Sequence, residues 1–289
     1  MREQKNMNNN LIILAAGMSS RMKKSAEVNK KSKLSEQALS KPKMMLGVGS
    51  TGRPFLDYLI FNAKNAGYND ILFIVNDKDH TVKKYYTEKK HLPEYEGLQF
   101  SFATQTIAPE RTKPLGTADA VSAGLKVRPD WSGQKFCVCN SDNLYSVNSL
   151  KLLLDDNHPA ALIDYDRDAL GVEPERVKAF AVIWKDKSSY LTDIVEKPNE
   201  QQVLKAMDVN KRIGVSMNIF SLDYDIIMPY LKNTPINPKR DEKELTETIR
   251  MLANDIENSV FTIPLSEPVP DLTTVNDMDD VESFIGLNK

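Results

Sequence analysis

The sequence predicts an α/β fold in which a largely parallel sheet is covered by helices on both faces. Short apolar runs typical of buried strands recur along the chain, and stretches with apolar residues at helical spacing separate them. No Pro- or Gly-rich linker divides the 289 residues. Strands that alternate with helices in this way indicate a three-layer, Rossmann-like arrangement, and we expect one domain over residues 1–289.

The strands and helices follow one another in order. The first strand is the apolar run 11–14, which a polar decapeptide precedes. A helix begins at Pro54 and ends at Gly67, because proline suits a first turn and glycine ends a last one. Further strands are predicted at 70–75, 98–103, 135–139, 160–164, 179–184, 190–195, 213–220 and 260–264. Further helices are predicted at 117–125, 147–154, 200–207, 224–231, 243–256 and 278–285.

Residues 22–40 form the least regular segment. They are rich in Lys, Ser and Glu and contain few large apolar residues, which predicts an exposed, mobile loop or a frayed helix. A solvated insertion explains this composition. A lid over an anionic ligand also explains it, since several lysines follow the Ser19-Ser20-Arg21 turn.

Composition excludes several classes of protein. A net charge of -2 gives no general reason to expect nucleic acid or a membrane surface as partner. No apolar run approaches the length of a membrane span. The two cysteines, Cys137 and Cys139, are too few for a typical zinc site and suit a reducing cytoplasm.

Polar residues with chemical potential follow the predicted strands, where ligands bind in sheets of this kind. Small residues and an arginine follow the first strand in AAGMSSRM, as a phosphate-binding turn would require. Pro42 fixes the backbone before Lys43. Gly116 and Thr117 open a helix whose free N–H groups can face an anion or a base, although Thr117 could equally be a plain cap.

Carboxylates supply candidate metal and substrate ligands. Asp142 follows the strand at 135–139, where a carboxylate suits magnesium, which takes one or two protein ligands. A turn residue is the alternative for this position. Glu196 and Lys197 could bind sugar hydroxyls and a phosphate or be a solvated pair, and Asn276 is either a second metal ligand or part of a helix cap. The sequence lacks both GxxxxGK[ST] and, after the first strand, GxGxxG, which argues against P-loop and dinucleotide-binding proteins.

The ordered set of motifs resembles the sugar-phosphate nucleotidyltransferases, over about residues 11 to 280. LAAGMSSRM followed by PKMML is similar to their signature LAAGxGTRM…PKxLL, and PLGTADAV, NSDN, VEKP, VSMNIF and TTVND resemble later family elements. ERTKP before Gly116 resembles a less characterised branch. The resemblance implies the nucleotide-diphospho-sugar transferase type of fold, with a mostly parallel mixed sheet.

The resemblance also implies roles for individual residues. The nucleotide would be held by Leu14, Ala15, Ala16, Gly17, Gln105, Gly116 and Thr117. Arg21 and Lys43 would neutralise the phosphates, Asp142 and Asn276 would hold Mg²⁺, and the sugar phosphate would face Glu196, Lys197 and Asn218. Two departures stand out: Ser19 replaces a glycine of the signature, and Met217 replaces a glycine near the sugar.

We therefore expect a cytoplasmic, magnesium-dependent enzyme that joins a nucleoside triphosphate to a sugar 1-phosphate and releases pyrophosphate. Two alternatives stay open. One is a cytidylyltransferase acting on phosphocholine or another phosphorylated alcohol, and the other is a non-catalytic nucleotide-sugar sensor. Neither nucleic acid nor membrane is an expected partner, and the sequence leaves the base, the sugar and a homo-oligomeric state open.

Overall fold

The computed structural model describes residues 9–28, 33–78, 80–172, 174–178 and 180–287. Its strands are β1 Asn10–Ala15, β2 Gly47–Val48, β3 Arg53–Pro54, β4 Asp70–Asn76, β5 Gln99–Gln105, β6 Lys135–Asn140, β7 Ala160–Asp166, β8 Ala181–Lys185, β9 Leu191–Val195, β10 Gly214–Ser216, β11 Ile219–Asp223 and β12 Val260–Leu265. Its helices are α1 Ser20–Val28, α2 Lys33–Ser40, α3 Phe55–Ala66, α4 Thr81–Lys89, α5 Thr117–Val127, α6 Val147–Asp155, α7 Pro174–Val177, α8 Glu200–Lys205, α9 Tyr224–Asn233, α10 Leu245–Asp255 and α11 Met278–Leu287.

Ten of these strands form one mixed sheet in the order β5-β4-β1-β6-β11-β7-β10-β8-β9, with β12 paired to β7. The strands β5, β4, β1 and β6 are all parallel, and β12 is parallel to β7. The strands β9, β10 and β11 run antiparallel to their neighbours. The predicted α/β class with a mostly parallel, mixed sheet is therefore confirmed, and β2 and β3 add a small hairpin outside the sheet.

Helices cover both faces of the sheet, as two buried apolar clusters show. On one face, α1, α2, α3, α4, α6 and α11 contribute to a large cluster. On the other face, α5, α9 and α10 pack against the remaining apolar side chains. Apolar residues that alternate along β1 explain the division, because Leu11 and Ile13 face the first cluster and Ile12 the second. The buried sheet therefore fixes where its strand ends, and the residues after them, lie.

The parallel half of the sheet aligns four strand ends at one edge. Leu14 of β1 lies beside Asn140 of β6, and Ala15 lies beside Val75 of β4. Asn76 at the end of β4 in turn lies beside Gln105 at the end of β5. The residues that follow these strands consequently share one edge of the sheet.

The strand predicted at 213–220 is instead two strands, β10 and β11. Val215 pairs with Tyr165 and Phe220 pairs with Leu162, so the four residues 216–219 oppose only the two residues 163–164 of β7. Asn218 has φ of 57°, in the left-handed region that asparagine tolerates better than most residues. This bulge interrupts the pairing, and the run of apolar residues did not reveal it.

Two further regions differ from the prediction. The segment 22–40 carries the end of α1 and all of α2, with Met22, Ala26 and Ala38 fully buried, while residues 29–32 lie outside the described part. The mobile-lid interpretation of this segment stays a prediction. Helix α4 was not predicted, because its lysine-rich sequence buries only Val82 and Tyr86. In the ranges that the structure describes, no helix has the length and apolar character needed to cross a membrane.

Candidate active site

The end of β1 forms one wall of a cavity of about 440 Å³ at the aligned strand ends. Leu14, Ala16 and Gly17 line this cavity, whereas the Ala15 side chain packs in the core on the opposite face of the sheet. The Leu14 carbonyl accepts hydrogen bonds from the N–H and the hydroxyl of Ser141, at 3.2 and 2.7 Å. A Cβ added at Gly17 would meet no atom within 4 Å, so the glycine leaves open space beside the backbone.

Two cations that the sequence singled out line the same cavity. Arg21 lies in the first turn of α1 and is exposed, and within the described ranges it forms no ion pair. Lys43 begins a 3₁₀ turn, and its Nζ forms an ion pair with the Asp142 carboxylate. The motifs PKMM and NSDN, 99 residues apart, therefore meet at one point of the cavity.

Ser19 links these two cations. It stands where the family signature has a glycine, and its φ of 54° lies in the left-handed region that glycine adopts most easily. The Ser19 hydroxyl accepts a hydrogen bond of 3.1 Å from the backbone N–H of Lys43. This bond offsets part of the backbone strain and ties the turn before α1 to Lys43.

Gln105 and Thr117, predicted to contact the base, already make internal hydrogen bonds. Gln105 is buried, and its Nε2 donates to the Gly116 carbonyl and to Asp119 Oδ2, both at 2.8 Å. The Thr117 hydroxyl accepts from the N–H of Leu245 at 2.8 Å. These bonds fix the start of α5 at the cavity wall, and they leave the Gln105 Oε1 and the Thr117 hydroxyl proton for a ligand.

The loop before α5 packs against the loop before α10. We call residues 110–117 together with 237–245 the clasp. Gly116 has φ of 116°, and a Cβ there would lie 2.4 Å from the Lys243 carbonyl oxygen. The Ala118 N–H donates to that same oxygen at 3.0 Å, and the Lys243 N–H donates to the Leu115 carbonyl at 2.6 Å. Glycine is therefore required at 116 by its conformation and by this close approach.

Three charged residues of the clasp line the cavity and were missed as site residues: Lys113, Arg240 and Glu242. Lys113 Nζ donates to the Arg240 carbonyl and to Glu242 Oε1, the latter at 2.9 Å. Arg111 reinforces the contact through an ion pair of 2.8 Å with Asp241. The ERTKP motif had marked Arg111 and Lys113, but only the fold brings them to the second loop.

A second carboxylate lies beside Asp142, and it belongs to Asp271. The Leu272 N–H donates to the Asp142 carbonyl at 2.8 Å, and Asn143 forms a β-bridge with Asp271. Burial and the nearby negative charge of Asp142 raise the pKa of Asp271, and the cations Lys43 and Arg176 oppose this effect. Arg176 pairs with Asp271 at 2.7 Å. The TTVND motif lies directly downstream, which is the signal that could have led to Asp271.

Asn276, predicted as the second metal ligand, is exposed and is not among the residues that line the cavity. Its neighbour Asp277 is buried and caps the turn by accepting from the N–H groups of Thr273 and Thr274, at 2.8 and 2.6 Å. Cap formation, the alternative that the sequence left open for this turn, accounts for these contacts.

The residues predicted to face the sugar do not line the 440 Å³ cavity. Glu196 lines a separate cavity of about 280 Å³ together with Asp193, Glu244, Glu247 and Arg250. Burial raises its pKa, and its Oε1 accepts from the Thr246 hydroxyl at 3.0 Å. Lys197 is exposed with φ of 46°. Asn218 lies in the bulge before β11, next to the end of β6.

Comparisons with known proteins agree with this architecture. Residues 12–267 match the sequence profile of the family described as Nucleotidyl transferase. The chain is 23% identical over 274 residues to the bifunctional protein GlmU of Staphylococcus haemolyticus (strain JCSC1435), a match that covers 94% of this chain and 51% of that protein. The chain thus spans about half the length of this curated relative.

A solved structure of UDP-glucose pyrophosphorylase in complex with UDP-glucose has the same fold. The TM-score is 0.69 at 19% identity, over 98% of this chain and 100% of that one. The profile match extends over most of the chain and includes the residues that form the cavity from β1 to β11. This protein belongs to the Nucleotidyl transferase family.

Proposed function

We propose that this protein is a magnesium-dependent nucleotidyltransferase that joins a nucleoside triphosphate to a sugar 1-phosphate, giving a nucleotide sugar and pyrophosphate. The observation that carries the proposal is the meeting of Lys43 and Asp142 in a cavity at the carboxyl ends of parallel strands. The names of the two relatives support a sugar phosphate as the acceptor. We expect the reaction to take place in the cytoplasm.

Asp142 and Asp271 fit the requirements of Mg²⁺. Magnesium is bound by hard oxygen ligands and usually takes one or two carboxylates from the protein. In the described ranges, no group of three or more His, Cys, Asp or Glu side chains could hold a metal ion, which leaves a two-carboxylate site as the natural choice. Mg²⁺ bound there would neutralise phosphate charge during the transfer. Asp271 takes the place proposed from sequence for Asn276.

The chain's own residues then position and neutralise the reactants. A phosphate oxygen of the acceptor attacks the α-phosphorus in line, a new P–O bond forms, and the bond to the β-phosphate breaks so that pyrophosphate leaves. Arg21 and Lys43 balance the negative charge that builds on the transferring phosphoryl group. Such a transfer requires positioning and electrostatic stabilisation rather than a covalent nucleophile.

The nucleotide is held by the wall around β1 and α5. The backbone of Leu14, Ala15, Ala16 and Gly17 offers polar groups at the end of β1, and the open space at Gly17 permits a close approach. Gln105, Gly116 and Thr117 complete the base pocket at the start of α5. The clasp places Arg240 at the opposite side of the cavity, where it can meet the phosphate of the acceptor.

One observation favours the second candidate, a cytidylyltransferase for phosphocholine or a related alcohol. The 280 Å³ cavity that contains Glu196 has four carboxylates among its lining residues, whereas Arg250 is its one cation among the described residues. Arg250 is already paired with Glu247 at 2.6 Å. A cavity of this charge favours an acceptor with a cationic or amine group. Glu196, Lys197 and Asn218 stay our proposed acceptor residues in either case.

The test is pyrophosphate release with Mg²⁺, with the common nucleoside triphosphates crossed against sugar 1-phosphates and phosphocholine. Release with one sugar 1-phosphate supports the proposal and identifies both substrates. Release with CTP and phosphocholine alone moves the assignment to the alcohol branch. Nucleotide binding without release for any pair supports the sensor alternative and contradicts the proposed reaction.

A further inference from the structure

A second cavity lies directly behind the turn that follows β1. It has a volume of about 760 Å³, and it shares Gly17, Met18 and Ser19 with the 440 Å³ cavity. The two cavities therefore lie on opposite sides of one short turn. None of the roles proposed above uses the second cavity.

Its lining is strongly basic. Four lysines from three parts of the fold surround it: Lys23 of α1, Lys41 after α2, and Lys78 and Lys84 on either side of the start of α4. Among the described residues that line it, Glu88 is the single carboxylate. Across the ranges described, none of the four lysine side chains forms an ion pair or a hydrogen bond, although eighteen residue pairs in the chain lie close enough for Lys or Arg to pair with Asp or Glu. Their charges are thus directed at solvent and at the cavity rather than cancelled by neighbours.

The backbone adds to the same field. Helix α4 begins with Thr81 at the cavity, and a helix N-terminus presents free N–H groups and a partial positive charge. The Asn76 side chain fixes this entry, because its Oδ1 accepts from the Lys78 N–H at 2.9 Å and its Nδ2 donates to the Ala16 carbonyl at 3.4 Å. The loop after β4 is consequently tied to the end of β1, which forms the other cavity.

We propose that this second cavity binds a polyphosphate group. Several cations from separate segments, a helix N-terminus and a volume sufficient for a nucleotide-sized ligand favour a multiply charged, extended anion over a single carboxylate. Two sources share this chemistry: the terminal phosphates of a nucleoside triphosphate bound across the turn, and a free polyphosphate such as pyrophosphate. The inference concerns binding, and it does not depend on the proposed nucleotidyl transfer.

The test measures pyrophosphate binding by calorimetry without metal in a chain that carries Arg21→Ala and Lys43→Ala, which weaken the first cavity. We expect one pyrophosphate to bind with an affinity that falls as salt is added. Adding Lys78→Ala and Lys84→Ala should weaken binding about tenfold. The matched control adds Lys83→Ala and Lys90→Ala, which remove the same charge from exposed positions in and after α4 that do not line the cavity, and should change affinity less than about twofold.

The outcomes separate cleanly. If Arg21→Ala with Lys43→Ala abolishes pyrophosphate binding, or if the two lysine pairs have equal effects, the proposal is overturned. If only the Lys78 and Lys84 pair matters, the source follows from nucleoside triphosphate binding to the chain with Arg21 and Lys43 intact. A parallel loss of triphosphate affinity assigns the cavity to the nucleotide's own tail, and unchanged triphosphate affinity assigns it to a free polyphosphate. Thermal unfolding of each variant verifies that the exposed substitutions leave the fold intact.

Discussion

The two halves of the sheet differ in how they deliver residues to the site. In the half formed by β5, β4, β1 and β6, all strands are parallel, and the polar residues after them converge on one cavity. In the other half, β9, β10 and β11 run antiparallel to their neighbours, and the site edge is reached through a bulge and through loops. A parallel half can therefore be read from strand ends, whereas a mixed half requires the register.

The largest expected effect concerns Asp142, in the parallel half. Asp142→Asn keeps the size of the side chain but removes the charge that pairs with Lys43 and would bind the metal. We expect kcat to fall by about 10²–10³-fold, as when other preorganised electrostatic groups are removed. Steady-state pyrophosphate release measures it.

Asp168→Asn is the matched control, because Asp168 is exposed and pairs only with its neighbour Arg167 among the described residues. Its kcat should stay within about twofold of wild type, as expected for a surface substitution. If Asp142→Asn behaves like this control, the parallel half does not hold the reaction centre.

Two glycines in the nucleotide wall should respond differently to alanine. Gly116→Ala places a Cβ 2.4 Å from the Lys243 carbonyl oxygen at φ of 116°, and we expect a loss of about 2–4 kcal/mol of unfolding free energy. Gly17→Ala meets no atom within 4 Å, so stability should change by less than about 1 kcal/mol. Chemical denaturation measures both.

Nucleotide affinity sharpens this pair. Gly17→Ala should weaken nucleotide binding although the fold is intact, because the added methyl occupies the space left for the ligand. Normal nucleotide affinity in a folded Gly17→Ala variant would argue that the ligand does not approach this backbone.

A smaller effect is expected in the clasp, which joins the two halves. Lys113→Met removes the contacts to the Arg240 carbonyl and to Glu242 but keeps the aliphatic stem. Because the pair is partly exposed, stability should change by less than about 1 kcal/mol. The KM for the acceptor should rise about five- to tenfold as Arg240 loses its position. Lys126→Met, in the last turn of α5, should leave this KM unchanged.

The smallest effect is a pH dependence in the acceptor half. Burial raises the pKa of Glu196 above its ordinary value of 4.5. Ionising a group with a raised folded pKa destabilises the fold, so this contribution to stability is present below pH 4.5 and is lost as pH rises through the folded pKa. Glu196→Gln removes this dependence and can still accept from Thr246.

Thermal unfolding from pH 4 to pH 8 measures the effect. The difference in Tm between Glu196→Gln and wild type should grow in favour of the variant as pH rises above 4.5. A constant difference across this range would show that Glu196 is not the buried, charge-penalised group described here.

The same contrast explains what could be predicted from sequence. The strand–helix alternation gave the fold class, since buried parallel strands are continuous apolar runs. Arg21, Lys43 and Asp142 were found from motifs, and the parallel strand ends bring them together. These residues lie close in space because the topology leaves little freedom in where parallel strands end.

The remainder depends on contacts that no local pattern encodes. Arg240 and Glu242 reach the cavity only because the clasp pairs two loops about 130 residues apart. Asp271 lies beside Asp142 through backbone pairing of two loops, whereas Asn276, five positions further along, is exposed. Asn218 owes its conformation to the mismatch in register between β10 and β11 against β7.

The most direct test of the account follows the phosphorus atoms of the triphosphate. The protein is incubated with Mg²⁺, an acceptor phosphate that supports pyrophosphate release, and nucleoside triphosphate labelled at either the α- or the γ-position. The account predicts that the α-label enters the nucleotide-linked product and that the γ-label leaves in pyrophosphate. Transfer of the γ-label to the acceptor, or retention of the α-label in free nucleoside diphosphate, would contradict it.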